Sequence, residues 1–250
     1  MNGRLSVRVV CAALFAAAGS TMALDFSLSP TVGYTSFGGF AEFQFGTYHY
    51  ESDGLWLPFY YGVRGGLNAG PNALTASAYF LPPFEGNAYV TDIPHPPVRA
   101  QDNLVELEYR RRFLAPGIQP LAYLNGRRGH STVEYIPPPF DGRIFSDSTF
   151  ICAAGGVAFS RWPAATEFRG GLAHRILRMN HGEGWTVQNR DWLLYIGAET
   201  AVPFNSWFRL GARMELLTKV DHLADTDFDN RDFRFAGGPE FLIVNTMKNE

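Results

Sequence analysis

From about residue 103 to residue 245 the chain repeats one unit: an alternating apolar and polar run, a short turn, a second such run, and a longer polar loop. In 165–178, Phe168, Leu172 and Ile176 fall on one side of an extended strand, with Glu167, Arg169 and Arg175 on the other. The next run sets Trp192, Leu194, Ile196, Ala198 and Val202 against Asp191, Tyr195, Gly197 and Glu199. The one after sets Phe208, Leu210, Ala212, Met214 and Leu216 against Arg209, Arg213 and Glu215. Because side chains alternate across a strand, each run has an apolar face and a face carrying charge of both signs beside small residues. That combination predicts a sheet whose charged face is enclosed.

Strands are predicted at 103–113, 118–127, 144–160, 165–178, 190–202, 207–219 and 231–244. Short Pro-, Gly- or Asn-containing turns separate some of them, at 115–117, 161–164 and 203–206. Longer segments near 128–143, 179–189 and 220–230 separate the others. Short turns on one rim and long loops on the other are the pattern of a transmembrane barrel, with the short turns periplasmic. Extended runs in the first third lie at 24–35, 39–50, 55–67 and 72–81, with a weaker one at 86–93. An even total puts both ends of the chain on one rim. Taking 39–50, 55–67 and 72–81 makes ten strands and leaves 24–38 as a leader or an extension; one strand makes eight and five make twelve. The expected fold is therefore all-β, a closed antiparallel up-and-down transmembrane β-barrel of ten strands, with eight or twelve as the other even counts. A secreted β-sandwich or lipocalin-like barrel explains the alternation equally well, but not the charged face or the lopsided turn lengths.

The N-terminus sets a compartment. Arg4 and Arg8 precede an apolar stretch from Val9 to Gly19, and Thr21, Met22 and Ala23 offer small residues at a cleavage site. These are the regions of a secretory signal peptide, so residues 1–23 are expected to be removed and 24–250 to form one barrel domain in the cell outer membrane. Cys152 is then the only cysteine, which precludes an intrachain disulfide. Loss of Arg4 and Arg8 takes the 21 basic residues to 19 against 24 acidic ones, a net charge of −5. That excludes a broad electrostatic surface for nucleic acid.

On the seven clear strands the polar face carries Glu106, Glu108, Glu167, Asp191, Glu199, Glu215 and Glu240. It also carries Arg110, Arg112, Arg169, Arg175, Arg209, Arg213 and Arg234. Seven of each sign predict a balanced charge network in the lumen. Apart from Lys219 and Lys248, every basic residue is an arginine. Guanidinium is weakly hydrated and forks onto carboxylates, which suits a confined interior. Trp56, Phe59, Tyr60, Tyr61, Trp162, Trp192, Trp207 and Phe208 cluster near predicted strand ends, where aromatic girdles are expected. Arg111 and His174 break the apolar pattern.

The leader, the ladder of amphipathic strands and the short Pro/Asn turns resemble small bacterial outer-membrane barrels of the OmpA/OmpW-like type. The last strand ends Phe241-Leu242-Ile243-Val244 and is followed by a short tail, which is more like spirochaete outer-membrane proteins. The resemblance implies outer-membrane lipid and the barrel-insertion machinery as partners. It implies a narrow channel or passive transporter for small solutes, with little ion preference if lumen charges balance. The alternative is a structural or host-contact surface protein, with a plugged barrel and partner-binding outer loops.

Other chemistry is sparse. Asp225, Asp227 and Asp229 alternate like the opening of a calcium loop, but Asn230 and Ala236 stand where that motif wants Gly and Glu. A solvated acidic loop is the plainer reading. His95, His130, His181 and His222 fall in predicted outer loops, yet no Gly-x-Ser-x-Gly or His-Glu-x-x-His motif accompanies them. No enzymatic activity and no cofactor are expected, with an outer-membrane hydrolase as the remaining alternative. The Pro-rich stretches 93–97 and 136–140 stiffen outer loops.

Overall fold

The computed structural model describes residues 24–35, 43–45, 48–51, 59–87, 89–90, 97–113, 115, 117–135, 143–161, 164–181, 186–220 and 231–244. The expected leader 1–23, the acidic loop with Asp225, Asp227 and Asp229, and His95, His222, Trp56 and Trp162 lie outside these residues.

Thirteen strands follow in chain order: β1 (Leu24–Thr35), β2 (Phe43–Phe45), β3 (Tyr48–Glu51), β4 (Phe59–Ala69), β5 (Asn72–Asn87), β6 (Tyr89–Val90), β7 (Pro97–Arg112), β8 (Ile118–Tyr135), β9 (Arg143–Arg161), β10 (Ala164–His181), β11 (Thr186–Pro203), β12 (Phe208–Lys219) and β13 (Arg231–Val244). Ten of them close an antiparallel barrel in the order β1-β13-β12-β11-β10-β9-β8-β7-β5-β4, and β2, β3 and β6 form a separate small sheet. Ten is the expected number, reached with a different member. Residues 24–35 are a wall strand, while 43–45 and 48–50, the described part of the run 39–50, pair with each other in the small sheet. In β1, Phe26, Leu28 and Val32 point outward, and Ser29 and Thr31 are buried inside. The seam between β1 and β13 closes the barrel and keeps one register, with a gap in pairing where Pro30 and Pro239 face each other. Neither proline has an N–H to give the ladder, and Ser29 Oγ donates instead to the Pro239 carbonyl at 2.7 Å.

The start of β1, the end of β13 and the adjoining ends of β4 and β5, β7 and β8, β9 and β10, and β11 and β12 share one rim. Gly70 and Gly117 adopt φ of 57° and 80°, which residues with a Cβ rarely take. In the turn after β11, Asn205 Oδ1 accepts from the backbone N–H groups of Trp207 and Phe208 at 3.0 and 2.8 Å. On the opposite rim the strands outrun their expected ends. β8 continues to Tyr135, and β10 and β11 leave only 182–185 between them, where the sequence pattern predicted a loop over 179–189. Above the apolar belt both faces of a strand meet water, so the apolar alternation that marks a strand disappears there while the backbone ladder continues.

The apolar face points out. Leu124, Ile151, Leu172 and Ile196 stand exposed on successive strands, while Glu167, Arg169, Arg175, Arg213 and Glu215 are buried on the inner side. Near the short-turn rim Trp207 stacks on Phe241 with ring centres 6.5 Å apart, and Phe204 and Phe208 adjoin them. Trp192 marks the other edge of the belt, with His174 against its ring at 5.0 Å. Tyr60, expected in a girdle, instead points into the lumen, edge-on to Tyr79. Arg111 is outward beside the turn, 5.6 Å from the Phe113 ring.

The walls approach each other closely where glycine lies. A Cβ on Gly171 would sit 2.2 Å from the Ala153 carbonyl oxygen and 2.5 Å from Ala154 Cα. Gly171→Ala is therefore expected to destabilise the barrel by about 1–3 kcal/mol, as an overpacked core substitution does. Urea titration of the folded protein in detergent micelles measures this, and a shift near zero contradicts the contact.

Candidate functional site

The inner wall carries two kinds of side chain. An apolar cluster of Leu121, Tyr123, Phe150, Cys152, Leu193, Tyr195 and Leu217 covers the β8–β12 side. A smaller group of Tyr60, Tyr79, Leu81 and Ala236 lies on β4, β5 and β13. The lumen is thus not lined by charge alone: hydrocarbon packs beside the ion pairs.

Between these clusters runs a lattice of guanidinium and carboxylate groups. Arg213 on β12 reaches Glu106 at 3.2 Å and also pairs with Glu108, both on β7. These strands are five apart in a ring of ten, so the contact spans the full width of the barrel. Arg64 on β4 pairs with Glu199 on β11 at 2.9 Å and with Glu108 at 3.0 Å. Arg127 on β8 holds Glu106 and Glu215, each at 2.6 Å. Lower down, Arg110 donates to Glu167 at 2.8 Å, Arg112 pairs with the same carboxylate, and Arg169 donates to Glu199 at 2.7 Å. Arg234 lies 3.9 Å from Glu106 and 3.7 Å from Glu215. Arg175–Asp191 and Arg209–Glu240 are cross-wall pairs on neighbouring strands, at 2.5 Å each.

All fourteen charged residues singled out from the seven clear strands therefore stand on the inner wall. Arg64 and Arg127 join them, as does the half-buried Asp102 of β7, which faces the same side as Glu106 and lies within electrostatic reach of Arg234. The carboxylates also take neutral donors: Tyr123 Oη donates to Glu108 at 2.5 Å, Asn125 Nδ2 to Glu106 at 2.6 Å, and Tyr195 Oη to Glu215 at 3.1 Å. Rings flank the cations, with the Arg169 guanidinium 4.4 Å from the Tyr123 ring centre and that of Arg234 at 4.4 Å from Tyr79. The side chain of Glu106 has no exposed surface and that of Arg213 has 7%. Charges so deeply buried persist when paired and hydrogen-bonded, and these neighbours meet most of that need, although Arg64 Nε, Arg169 Nε and Asn125 Oδ1 are buried without a hydrogen-bond partner.

Glu106, Glu108 and Glu215 bring oxygens within 4.8 Å of one another, a spacing that fits a divalent ion. Arg127 and Arg213 already occupy those oxygens, and two guanidiniums at that point repel a cation. The trio therefore belongs to the lattice.

His130 lies within β8 rather than in a loop. Its Nδ1 is 2.9 Å from Asp147 Oδ1, and the pair is exposed on the outer wall. Ser131 and Ser146 bond to each other on neighbouring positions whose side chains point to the opposite side of the sheet. This histidine–carboxylate pair therefore has neither of those serines in reach. His181 ends β10.

No protein-family model matches the chain, and no curated protein matches it. Solved structures similar to it are bacterial outer-membrane barrels. The outer membrane protease OmpT from Escherichia coli matches with a TM-score of 0.53 at 9% identity, over 88% of this chain and 97% of that one. The translocator domain of autotransporter NalP from Neisseria meningitidis matches with a TM-score of 0.47 at 8% identity, over 94% and 93%. Ail, the attachment invasion locus protein of Yersinia pestis, matches with a TM-score of 0.37 at 11% identity, over 87% and 98%. At such identities the likeness shows the fold alone. The chain has the fold of an outer-membrane β-barrel.

Proposed function

We propose that this chain resides in the outer membrane as a barrel braced shut at its waist, acting as a structural or host-contact surface protein. The apolar belt and aromatic rims support the location, since such a surface is stable only against lipid. The observation that carries the closed state is the contact of Arg213 with Glu106 and Glu108 on the opposite wall. A continuous water path at that level would expose these groups, and they are buried. The strands that rise above the belt, with β2, β3 and β6, supply the surface offered to a partner outside the cell. Insertion machinery and outer-membrane lipid are the remaining proposed partners.

Liposome swelling and planar-bilayer recording test this. The protein is expected to admit no sugar and to show no steady unitary conductance. The double variant Arg64→Ser/Arg213→Ser, checked for folding by heat-modifiable migration, is expected to conduct. Large steady currents from the unaltered protein contradict the proposal.

A narrow channel for small solutes is the second reading. It is favoured by Arg64, Glu199, Arg110 and Arg234, which keep some exposure, so water reaches the lattice edges. Small, reproducible conductance steps from the unaltered protein select it.

A further inference from the structure

We propose that the outer wall of β8–β11, just above the apolar belt, binds the phosphate groups of a lipid in the outer leaflet. This rests on the outer-membrane reading and assigns a ligand to a surface that reading leaves unused. Leu124, Ile151, Leu172 and Trp192 are exposed and form the upper part of the belt on these four strands. The next outward position on β8 is passed over by Gly126, and Arg128 follows; on β11 Arg190 follows Trp192 directly. Arg178 stands at the second outward position above His174 on β10. All three arginines are exposed, while their inward neighbours Arg127 and Leu193 are buried, which fixes them on the outside.

The ladder sets their spacing. Arg128 is paired with Thr149, Thr149 with Ile176 and Ile176 with Arg190, so Arg128 and Arg190 lie three strand spacings apart, about 14 Å. Arg178 pairs with Gln188 and so lies diagonal to Arg190, at about 7–8 Å between their backbones. Among the described residues the acid in this patch is Asp147, the cross-strand neighbour of Arg178, and its carboxylate is engaged by His130 at 2.9 Å. Three guanidiniums against one occupied carboxylate leave the patch positive. Along the same register row, Asn103, Phe80 and Tyr61 on β7, β5 and β4 carry no charge, so the basic sector is confined to one side of the barrel.

Its level decides the occupant. A basic sector directly against the edge of an apolar belt is at headgroup depth, where a lipid phosphate meets it while its acyl chains lie along Leu124, Ile151 and Leu172. Arginine forks onto phosphate oxygens, and each basic side chain at a membrane surface adds about a factor of five in affinity for anionic headgroups.

The test uses the whole refolded protein and the triple variant Arg128→Gln/Arg178→Gln/Arg190→Gln. Retention of diphosphorylated lipid A is measured by native mass spectrometry, against its dephosphorylated counterpart and against inorganic phosphate as competitor. The unaltered protein is expected to bind the phosphorylated lipid on the order of a hundredfold more tightly than the variant does, and the dephosphorylated lipid no better. Equal retention by the two proteins overturns the proposal, as does displacement by millimolar inorganic phosphate, which marks a site for small anions. Flotation with zwitterionic vesicles separates the two readings. Both proteins are expected to float; failure of both refutes the membrane location itself, whereas loss of selectivity with flotation intact refutes only the lipid site.

Discussion

Glu106→Gln is expected to destabilise the folded barrel by about 3–5 kcal/mol, the cost of leaving buried charge without its partner. The carboxylate accepts from Arg127 and Asn125, each at 2.6 Å, and from Arg213 at 3.2 Å. The amide that replaces it keeps the shape but returns no negative charge, so Arg127 and Arg213 keep only Glu215 and Glu108 as anionic partners and one buried positive charge goes uncompensated. Glu106→Leu combined with Arg127→Leu is expected to recover most of the loss, because well-packed apolar residues in place of a buried ion pair are often neutral or stabilising. Urea unfolding in detergent, followed by tryptophan fluorescence, gives both numbers. If Glu106→Gln costs less than about 1 kcal/mol, the charges are hydrated and the barrel is open at its waist.

The second large effect concerns the outer face. Ile196 is outward in the middle of the apolar belt, on β11. Ile196→Arg is expected to cost about 2–4 kcal/mol in lipid vesicles, whereas Gln188→Arg on the same strand above the belt is expected to cost about 0–1. The two positions lie on the same face of the same strand, so their difference isolates depth in the bilayer from backbone effects. Unfolding free energies in vesicles check it. Equal costs indicate that water, and not acyl chain, surrounds the barrel.

Much of the wall was legible from period-two alternation because a strand in lipid must be apolar on one face throughout. β9 to β13 follow that rule; the expected limits of β9, β12 and β13 lie within a residue of the observed ones, while β10 and β11 run three and four residues further at the far rim. Two departures have physical causes. β1 alternates as cleanly as its neighbours, with Phe26, Leu28 and Val32 out and Ser29 and Thr31 in, but Pro30 in its middle argues against a paired strand. The barrel tolerates it at the closing seam, where Pro239 faces it and neither residue has a hydrogen to donate. Conversely, 39–50 has strand-forming composition, yet its described part joins a small sheet outside the wall, and composition does not say which sheet a strand enters.

The lattice was half legible. Arg64 belongs to the first third, where faces were not assigned, and Arg127 is hidden by its neighbour Arg128 on the other face. The inner face of β8 also carries Leu121 and Tyr123, whose apolar character does not mark them as inward. A barrel interior that is partly hydrocarbon inverts the expected polarity wherever its apolar cluster lies.

Alternation along a strand is local, so the chain's own pattern specified a barrel wall, which face of it is apolar and which rim bears the short turns. Partnership across the lumen is not local. Arg213 meets Glu106 from 107 positions away and Arg64 meets Glu199 from 135, because strand number, tilt and register together bring opposite walls to the same height. Which guanidinium finds which carboxylate, and so whether the lumen is braced or open, was decided only when the ring had closed.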